Sequence, residues 1–413
     1  MHVLVVNQYA LPRGASGITR HGDLGAELVS RGHRVTIIAS RFNYLTRETN
    51  RRDRSVEAGV EFRWVDAGSY TTNDTRRVRS MVSFSARAMI AGLKLRPMPD
   101  VVVGSSPHLL AGLVARILAT VYRVPFIFEI RDLWPSVLVE LGALSPRSRV
   151  YWMLERLEKY LYREASRIIV VPPGAGKRVK EMGESDDKCI HIPNATLMAS
   201  QESLPLPQSL DSILYAERER DIVIYSGAHG VSNDLGTVLK AMAYLRQTDP
   251  VAYQRVAILF IGNGAERARL QALSALQGHT HVHFFPPIPK AILPAALERA
   301  AFFLVSFAHA GVYRYGVSPN KLFDYMAIGR PVLLASQAAD NPVQRFEAGY
   351  TYTPGDHVSL AERIVKVLSL TPHERATMGE RGRRAVRDHF TVPVTASMME
   401  SVLGDAIAAR AMT

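Results

Sequence analysis

The chain runs through one alternation twice, and this limits what it can fold into. Short apolar runs alternate with stretches of helical periodicity. The first half carries HVLVVN, VTIIAS, VEFRWV, DVVVG, FIFEI and RIIVV; the second carries DIVIYSG, VAILFIG, HVHFF, AFFLVS, PVLLAS and YTYTP. Runs that are apolar on both faces belong to parallel strands covered by helices on either side. Each half therefore predicts a doubly wound α/β domain, and 413 residues exceed one ordinary core. The polar, proline-bearing segment 193–220 reads as the linker. It divides the chain into an N-terminal domain over 1–197 and a C-terminal domain over 198–392. The closing stretch from His373 to Met412 reads as helical, with 393–413 expected to pack back on the first domain. Such sheets bind ligands beyond the carboxyl ends of their strands, so two of them facing each other predict a cleft.

Charge narrows the partners. The net charge is +12, with 29 Lys+Arg against 19 Asp+Glu over 1–197 but 21 against 19 over 198–413. The basic half predicts an anionic partner. Much of the excess lies in residues 47–54 and in Arg76, Arg77 and Arg79, which read as loops. Zinc spacing, a helix-turn-helix and interleaved aromatics are all missing, which argues against nucleic acid. The longest apolar stretch, Leu109 to Ile130, is broken by Arg116 and Arg123, short of the roughly 18–20 residues a span needs. The start lacks a basic n-region and reads as a strand. The single cysteine, Cys189, reads as a core residue and fits a reducing compartment. A cytoplasmic location is expected. Residues 78–96 mix apolar side chains with Arg and Lys, and leave open whether the chain also lies peripherally on the inner membrane face.

The turns after the strands carry the candidate chemistry. PRGASGITRH, with Gly14 and Gly17, replaces a dinucleotide fingerprint and leads into a helix bearing Arg20 and His21. FEIRDLWP places Glu129, Arg131, Asp132 and Trp134 at a strand end. In the second half, YSGAHGVSND supplies Gly227, His229 and Gly230, IGNGAERARL supplies Gly264, and Ile288 follows HVHFF. YRYGVSPNKLFDYMAIGRPV reads as loop, helix, turn and strand. Ser318 is the expected N-cap, Pro319 the first turn, Gly329 the C-cap and Pro331 the stop. A helix start with Lys321 beside it suits an anion, and Asp324, one turn on, suits hydroxyls. No motif for a metalloprotease, a disulfide redox centre, a serine nucleophile or a Walker A loop is present, and no metal site is expected.

GVSPNKLFDYMAIGRPV and EIRDLWP, with RGHRVTII, SSPHLLAGLVA and FIGNGAERARL, resemble glycosyltransferase family four. They are most similar to its bacterial branch, which builds O-antigen and capsule-type glycans from UDP-aminosugars. The resemblance implies the GT-B fold, two Rossmann-like domains facing across a cleft, and a retaining, metal-independent transferase without cofactor. It implies transfer of an N-acetylhexosamine-type sugar from a UDP-sugar to a hydroxyl of a polyprenyl-diphosphate-linked or small-molecule acceptor.

On the donor side the resemblance assigns Gly17, Gly227, His229, Gly230, Gly264, Ile288, Gly316, Val317, Ser318, Pro319, Asn320 and Asp324, the last at the position of the ribose-binding glutamate. Arg20, His21, His108, Glu129 and Trp134 fall to the acceptor, and Lys321, Arg131 and Asp132 to catalysis. Three departures stand out: Gly316 occupies the place of a sugar-contacting glutamate, Ser226, Ala228, His229 and Asn233 stand where many members carry an Arg and a Lys for the diphosphate, and Ser105-Ser106-Pro107 replaces a histidine-bearing triplet. Two other readings stay open, a nucleotide-sugar-binding protein without turnover and a UDP-N-acetylglucosamine 2-epimerase of the same fold.

Overall fold

A computed structural model describes residues 1–15, 17–43, 46–49, 52–70, 75–140, 142–198, 204–338 and 340–411. Residues 50 and 51 of the basic loop, 199–203 of the expected linker, and the last two residues lie outside the described residues. The chain divides into two compact units. One comprises Met1–Asn194 with Val392–Thr413, the other Ala195–Thr391.

The first unit is built on an eight-stranded sheet. Its strands are β1 (His2–Val6), β2 (Arg34–Ser40), β3 (Arg54–Glu57), β4 (Val60–Val65), β5 (Val101–Ser105), β6 (Phe126–Ile130), β7 (Arg167–Val170) and β8 (Cys189–His191). Their order is β3-β4-β2-β1-β5-β6-β7-β8, and every neighbouring pair is parallel except β3 with β4. β1, β5 and β6 are buried throughout, which is why they read as continuous apolar runs. Cys189 lies on the edge strand β8 and is only partly buried, outside the core.

The second unit has six parallel strands: β9 (Asp221–Ser226), β10 (Val256–Ile261), β11 (Val282–Phe285), β12 (Phe302–Val305), β13 (Val332–Ala335) and β14 (Gly349–Tyr352). Their order is β11-β10-β9-β12-β13-β14. The order reverses at β9, so the turns after β9, β10 and β12 are brought side by side. This is the switch point where such sheets bind ligands.

The linker expectation needs correction, as does the loop expected at Arg76, Arg77 and Arg79, which lie in the helix Thr75–Leu93; the closing stretch and residues 78–96 take definite form. The segment read as linker contains a helix, Gln208–Ala216, whose Leu210 and Leu214 are buried in the core. Its prolines precede the helix, with Pro207 as N-cap, rather than excluding it. The closing stretch is two helices, Pro372–His389 and Val392–Ala411, separated at Phe390 and Thr391. The second packs on the helix Arg20–Ser30 and puts Met399, Val402 and Leu403 into the core of the first unit. Finally, helix Thr75–Leu93 buries Met81, Phe84 and Ala88, while Val78, Val82, Ile90 and Leu93 stay exposed. The mixed pattern of residues 78–96 is thus one packed face and one apolar outer face. Among the described residues no helix is long and apolar enough to cross a membrane.

Candidate functional site

The best-defined cluster lies in the second unit, at the carboxyl ends of β9, β10 and β12. The loop after β9 is zipped to the loop after β10: Gly227 N–H donates to Ile261 O at 2.9 Å, His229 N–H to Asn263 O at 2.8 Å, and Glu266 N–H to His229 O at 3.0 Å. A side chain at Gly264 would strike the His229 carbonyl, so this approach needs a glycine. The third strand end enters through helix Asn320–Ile328. Its Tyr325 hydroxyl accepts from Ser226 N–H at 2.6 Å, and the Tyr325 ring stacks on Phe303 at 4.3 Å.

Lys321 sits where these elements meet. Its Nζ lies 3.8 Å from the centre of the Tyr225 ring. A Cβ built on Gly227 would come within 2.7 Å of the same nitrogen, so the glycine at φ 142° makes room for the ammonium. Among the described residues no carboxylate pairs with Lys321; the Tyr225 π-face is its counterpart. Burial pushes its pKa down to about 7. A desolvated cation without a carboxylate, beside exposed turn backbone, is arranged to receive an anion.

The start of this helix differs from the sequence reading. The N-cap is Pro319 and not Ser318, and no side chain caps the first turn. Pro319 fixes an extended backbone (φ −72°, ψ 137°) and passes the helix start to Asn320. Gly329 ends the helix in the left-handed region, as its residue type demands. Asp324, one turn into the helix, accepts from the Thr196 hydroxyl at 2.5 Å. Thr196 is held in turn by Thr196 N–H donating to Phe390 O. Gly316 has φ 94° and ψ 167°, a conformation open to glycine and unfavourable to glutamate. Val317 is buried in the core, so its backbone rather than its side chain faces the turn. Ser318 and Asn320 are partly buried, a side chain at Gly230 would touch Asn233 Nδ2 at 3.8 Å, and Ile288 packs against the core after β11.

His229 does not present its ring to this cluster. The side chain is fully buried among Tyr225, Phe260 and Phe284, with neither ring nitrogen hydrogen-bonded, and burial lowers its pKa to about 4. Sequence reasoning missed the tyrosines that build the site and Thr196. The only signal for Tyr225 was its place at the end of an apolar strand.

In the first unit, the ends of β1, β5 and β6 gather a second polar cluster. Glu129 is completely buried. One carboxylate oxygen accepts from Arg20 Nε at 2.9 Å; the other accepts from His21 Nε2 at 2.7 Å and Ser105 Oγ at 2.6 Å. Burial alone would raise its pKa, but Arg20 and His21 hold it well below the usual carboxylate range. Burial lowers the His21 pKa against the pull of Glu129, so the neutral ring donates through Nε2 and keeps its lone pair on Nδ1. Arg20 also donates to the carbonyls of Ile192 and Pro193. Arg20 and Glu129 are thus paired with each other inside the unit, both buried. Gly17, at φ 136°, lies in the loop that leads to this helix.

His108 caps helix Leu109–Tyr122, with Nδ1 accepting from Ala111 N–H at 3.3 Å. Its Nε2–H is buried without a hydrogen-bond partner between the edges of Tyr9 and Phe84. Burial, helped by Arg77, pushes its pKa to about 3, so it is a neutral donor at ordinary pH. Ser106 Oγ accepts from both Arg131 N–H, at 2.8 Å, and Asp132 N–H, at 3.2 Å, which fixes the turn after β6. Asp132 is exposed on that turn, and Arg77 lies 6.0 Å from the Trp134 ring.

Two largely parallel sheets with ligand-type turns at their carboxyl ends define a GT-B architecture. The comparisons agree. The "Glycosyl transferase 4-like domain" family matches residues 16–195, and the "Glycosyl transferases group 1" family matches residues 220–370. Together these take in most of the chain, and it belongs to the glycosyl transferases of GT-B fold. A Pseudomonas aeruginosa protein named as a probable glycosyltransferase, WbjE, is 23% identical over 277 residues, 66% of each chain. An Escherichia coli protein named for colanic acid biosynthesis as a glycosyl transferase, WcaI, is 23% identical over 248 residues, 58% of each. The matches thus span less than two thirds of these relatives' own lengths. Among solved structures, sucrose-phosphate synthase from Thermosynechococcus elongatus superposes with a TM-score of 0.77 at 19% identity, covering 99% of both chains. Anabaena HepE in complex with UDP-glucose gives 0.68 at 14% identity, covering 98% of this chain and 100% of its own. At these identities the likeness shows the fold.

Proposed function

We propose that this protein is a glycosyltransferase that moves a sugar, of N-acetylhexosamine type, from a UDP-sugar to an acceptor hydroxyl, with retention and without a metal. The observation that carries the reading is Lys321, desolvated, unmatched by a carboxylate among the described residues, and set against the Gly227 turn. In sugar transfer from a nucleotide donor, negative charge grows on the departing diphosphate, and a fixed cation in a dry site stabilises that charge more than it stabilises the ground state. Tyr225 positions the ammonium. Asp324 and Thr196 offer the hydroxyl-binding pair at the ribose end. In the first unit, the His108 Nε2–H and His21 Nδ1 are the groups for an acceptor, with Arg77, Arg131 and Trp134 suited to an anionic or planar portion of it. Arg131 and Asp132 complete the proposed catalytic set.

The exposed Val78, Val82, Ile90 and Leu93 beside basic residues support an acceptor presented at a membrane, such as a polyprenyl-diphosphate-linked sugar. Co-sedimentation with anionic vesicles at low salt is the expected result. Absence of binding would leave the soluble acceptor.

The reading is tested by a thermal-shift panel of UDP, GDP, ADP and TDP. UDP should raise the melting temperature selectively, and Lys321→Ala should abolish the shift. No shift with any nucleotide at millimolar concentration would overturn it. Turnover of donor in the absence of acceptor would instead favour an epimerase.

A further inference from the structure

We infer that the second unit carries another anion site, for a phosphate-bearing ligand, at the end of its sheet opposite Lys321. A cavity of about 490 Å³ opens at the amino ends of β9, β10, β12 and β13. β9 separates it from the Gly227 turn by six residues, roughly 20 Å at a rise of ~3.3 Å per residue. Five arginines line it, Arg220, Arg255, Arg299, Arg330 and Arg375, with the acids Asp221 and Glu298; Glu217 and Asp211 beside the lining pair with Arg220 and Arg299, which leaves one positive charge in excess.

The carboxylates do not match these guanidinium groups one to one. Asp221 serves two of them, Arg375 at 2.5 Å and Arg255 at 3.1 Å. Arg220 pairs with Glu217 at 3.2 Å, and Arg299 pairs with Asp211, each of the latter pair about half exposed. Among the described residues Arg330 pairs with no carboxylate. The Nε atoms of Arg220 and Arg375 are buried and have no hydrogen-bond partner. The unpaired Arg330 and the two unbonded Nε groups lack an acceptor, and an anion in the cavity supplies it. Planar guanidinium forks suit phosphate oxygens, taking them in pairs of parallel hydrogen bonds. This site is independent of the donor site, and the two are separable by mutation.

The test is a calorimetric titration of the full chain with inorganic pyrophosphate, made on the Lys321→Met variant so that the donor turn does not contribute. Saturable binding is expected, weakened about tenfold or more when Arg299 and Arg330 are both changed to Glu. Lys240→Glu, an exposed charge reversal elsewhere on the unit, should leave it unchanged. No saturable binding, or equal losses in both variants, would overturn the proposal, unless the chain binds phosphatidylglycerol vesicles through the same two arginines. That result assigns the phosphate to a lipid headgroup instead of a free anion. If UDP still binds the Lys321→Met chain and that binding survives the change of Arg299 and Arg330 to Glu, the donor reading fails and this one is untouched.

Discussion

Lys321 concentrates the argument at the scale of single residues. A lysine is ordinarily protonated until about pH 10, but burial brings this one to about 7. Between those values the unfolded chain binds a proton that the folded chain does not, so this site's contribution to stability rises with pH across that window. Below about pH 7 the full penalty of a buried charge applies. Lys321→Met should therefore stabilise the free protein, most strongly at pH 7 and below, with the gain fading toward pH 10; thermal melts against pH read this directly. The same change should lower kcat/KM by about 10²–10³-fold. A diphosphate beside the ammonium restores its proton, so UDP binding at pH 8 should take up protons, seen as a dependence of calorimetric heat on buffer ionisation enthalpy. Gly227→Ala strains a φ of 142° and drives a methyl to 2.7 Å from Nζ. It should abolish the UDP shift while costing about 1–3 kcal/mol of stability. Tyr225→Phe should keep the shift, because the ring and not the hydroxyl faces the cation.

Individual elements decide how well the polar clusters are held. The helix Arg20–Ser30 is tied to β6 by the Arg20–Glu129–His21 set, all of it buried. Removing one partner leaves a buried charge unmatched, so Arg20→Ala should cost about 3–5 kcal/mol, measured by denaturant unfolding. Glu129→Gln should also destabilise, and should lower the His21 pKa further, since the carboxylate is the group that favours the charged ring. The helix Asn320–Ile328 was readable from Pro319, Gly329 and Pro331, residues whose backbone preferences are local. Its first turn was misplaced by one residue because a proline can serve as N-cap as well as first helical residue. The helix Gln208–Ala216 was missed for the converse reason: prolines at 205 and 207 looked like linker chemistry, while the Leu210–Leu214 spacing behind them marked a buried face.

Across the whole molecule the chain leaves the first unit after Asn194 and returns to it at Val392. The final helix contributes Ala396, Met399, Val402, Leu403 and Ala406 to a core otherwise made from the first 192 residues. Leu403→Ala should cost about 2–5 kcal/mol, lower the melting temperature of the first unit, and leave the UDP-induced shift of the second in place. Loss of that shift would show that the units do not melt separately. The sequence by itself determined that there are two doubly wound sheets and which turns bear polar and glycine chemistry, because burial on both faces and φ preference are written in single residues and their neighbours. It did not determine strand order. Only the tertiary structure set β9 between β10 and β12, bringing Tyr225 and Gly227 against Lys321 almost a hundred residues later. It turned His229 into the core, closed Arg20 on Glu129, joined Asp324 to Thr196 and gathered five arginines at the far end of the sheet. Periodicity fixes which face a side chain takes; which strands become neighbours follows from how the crossovers pack, and charge pairing follows from that.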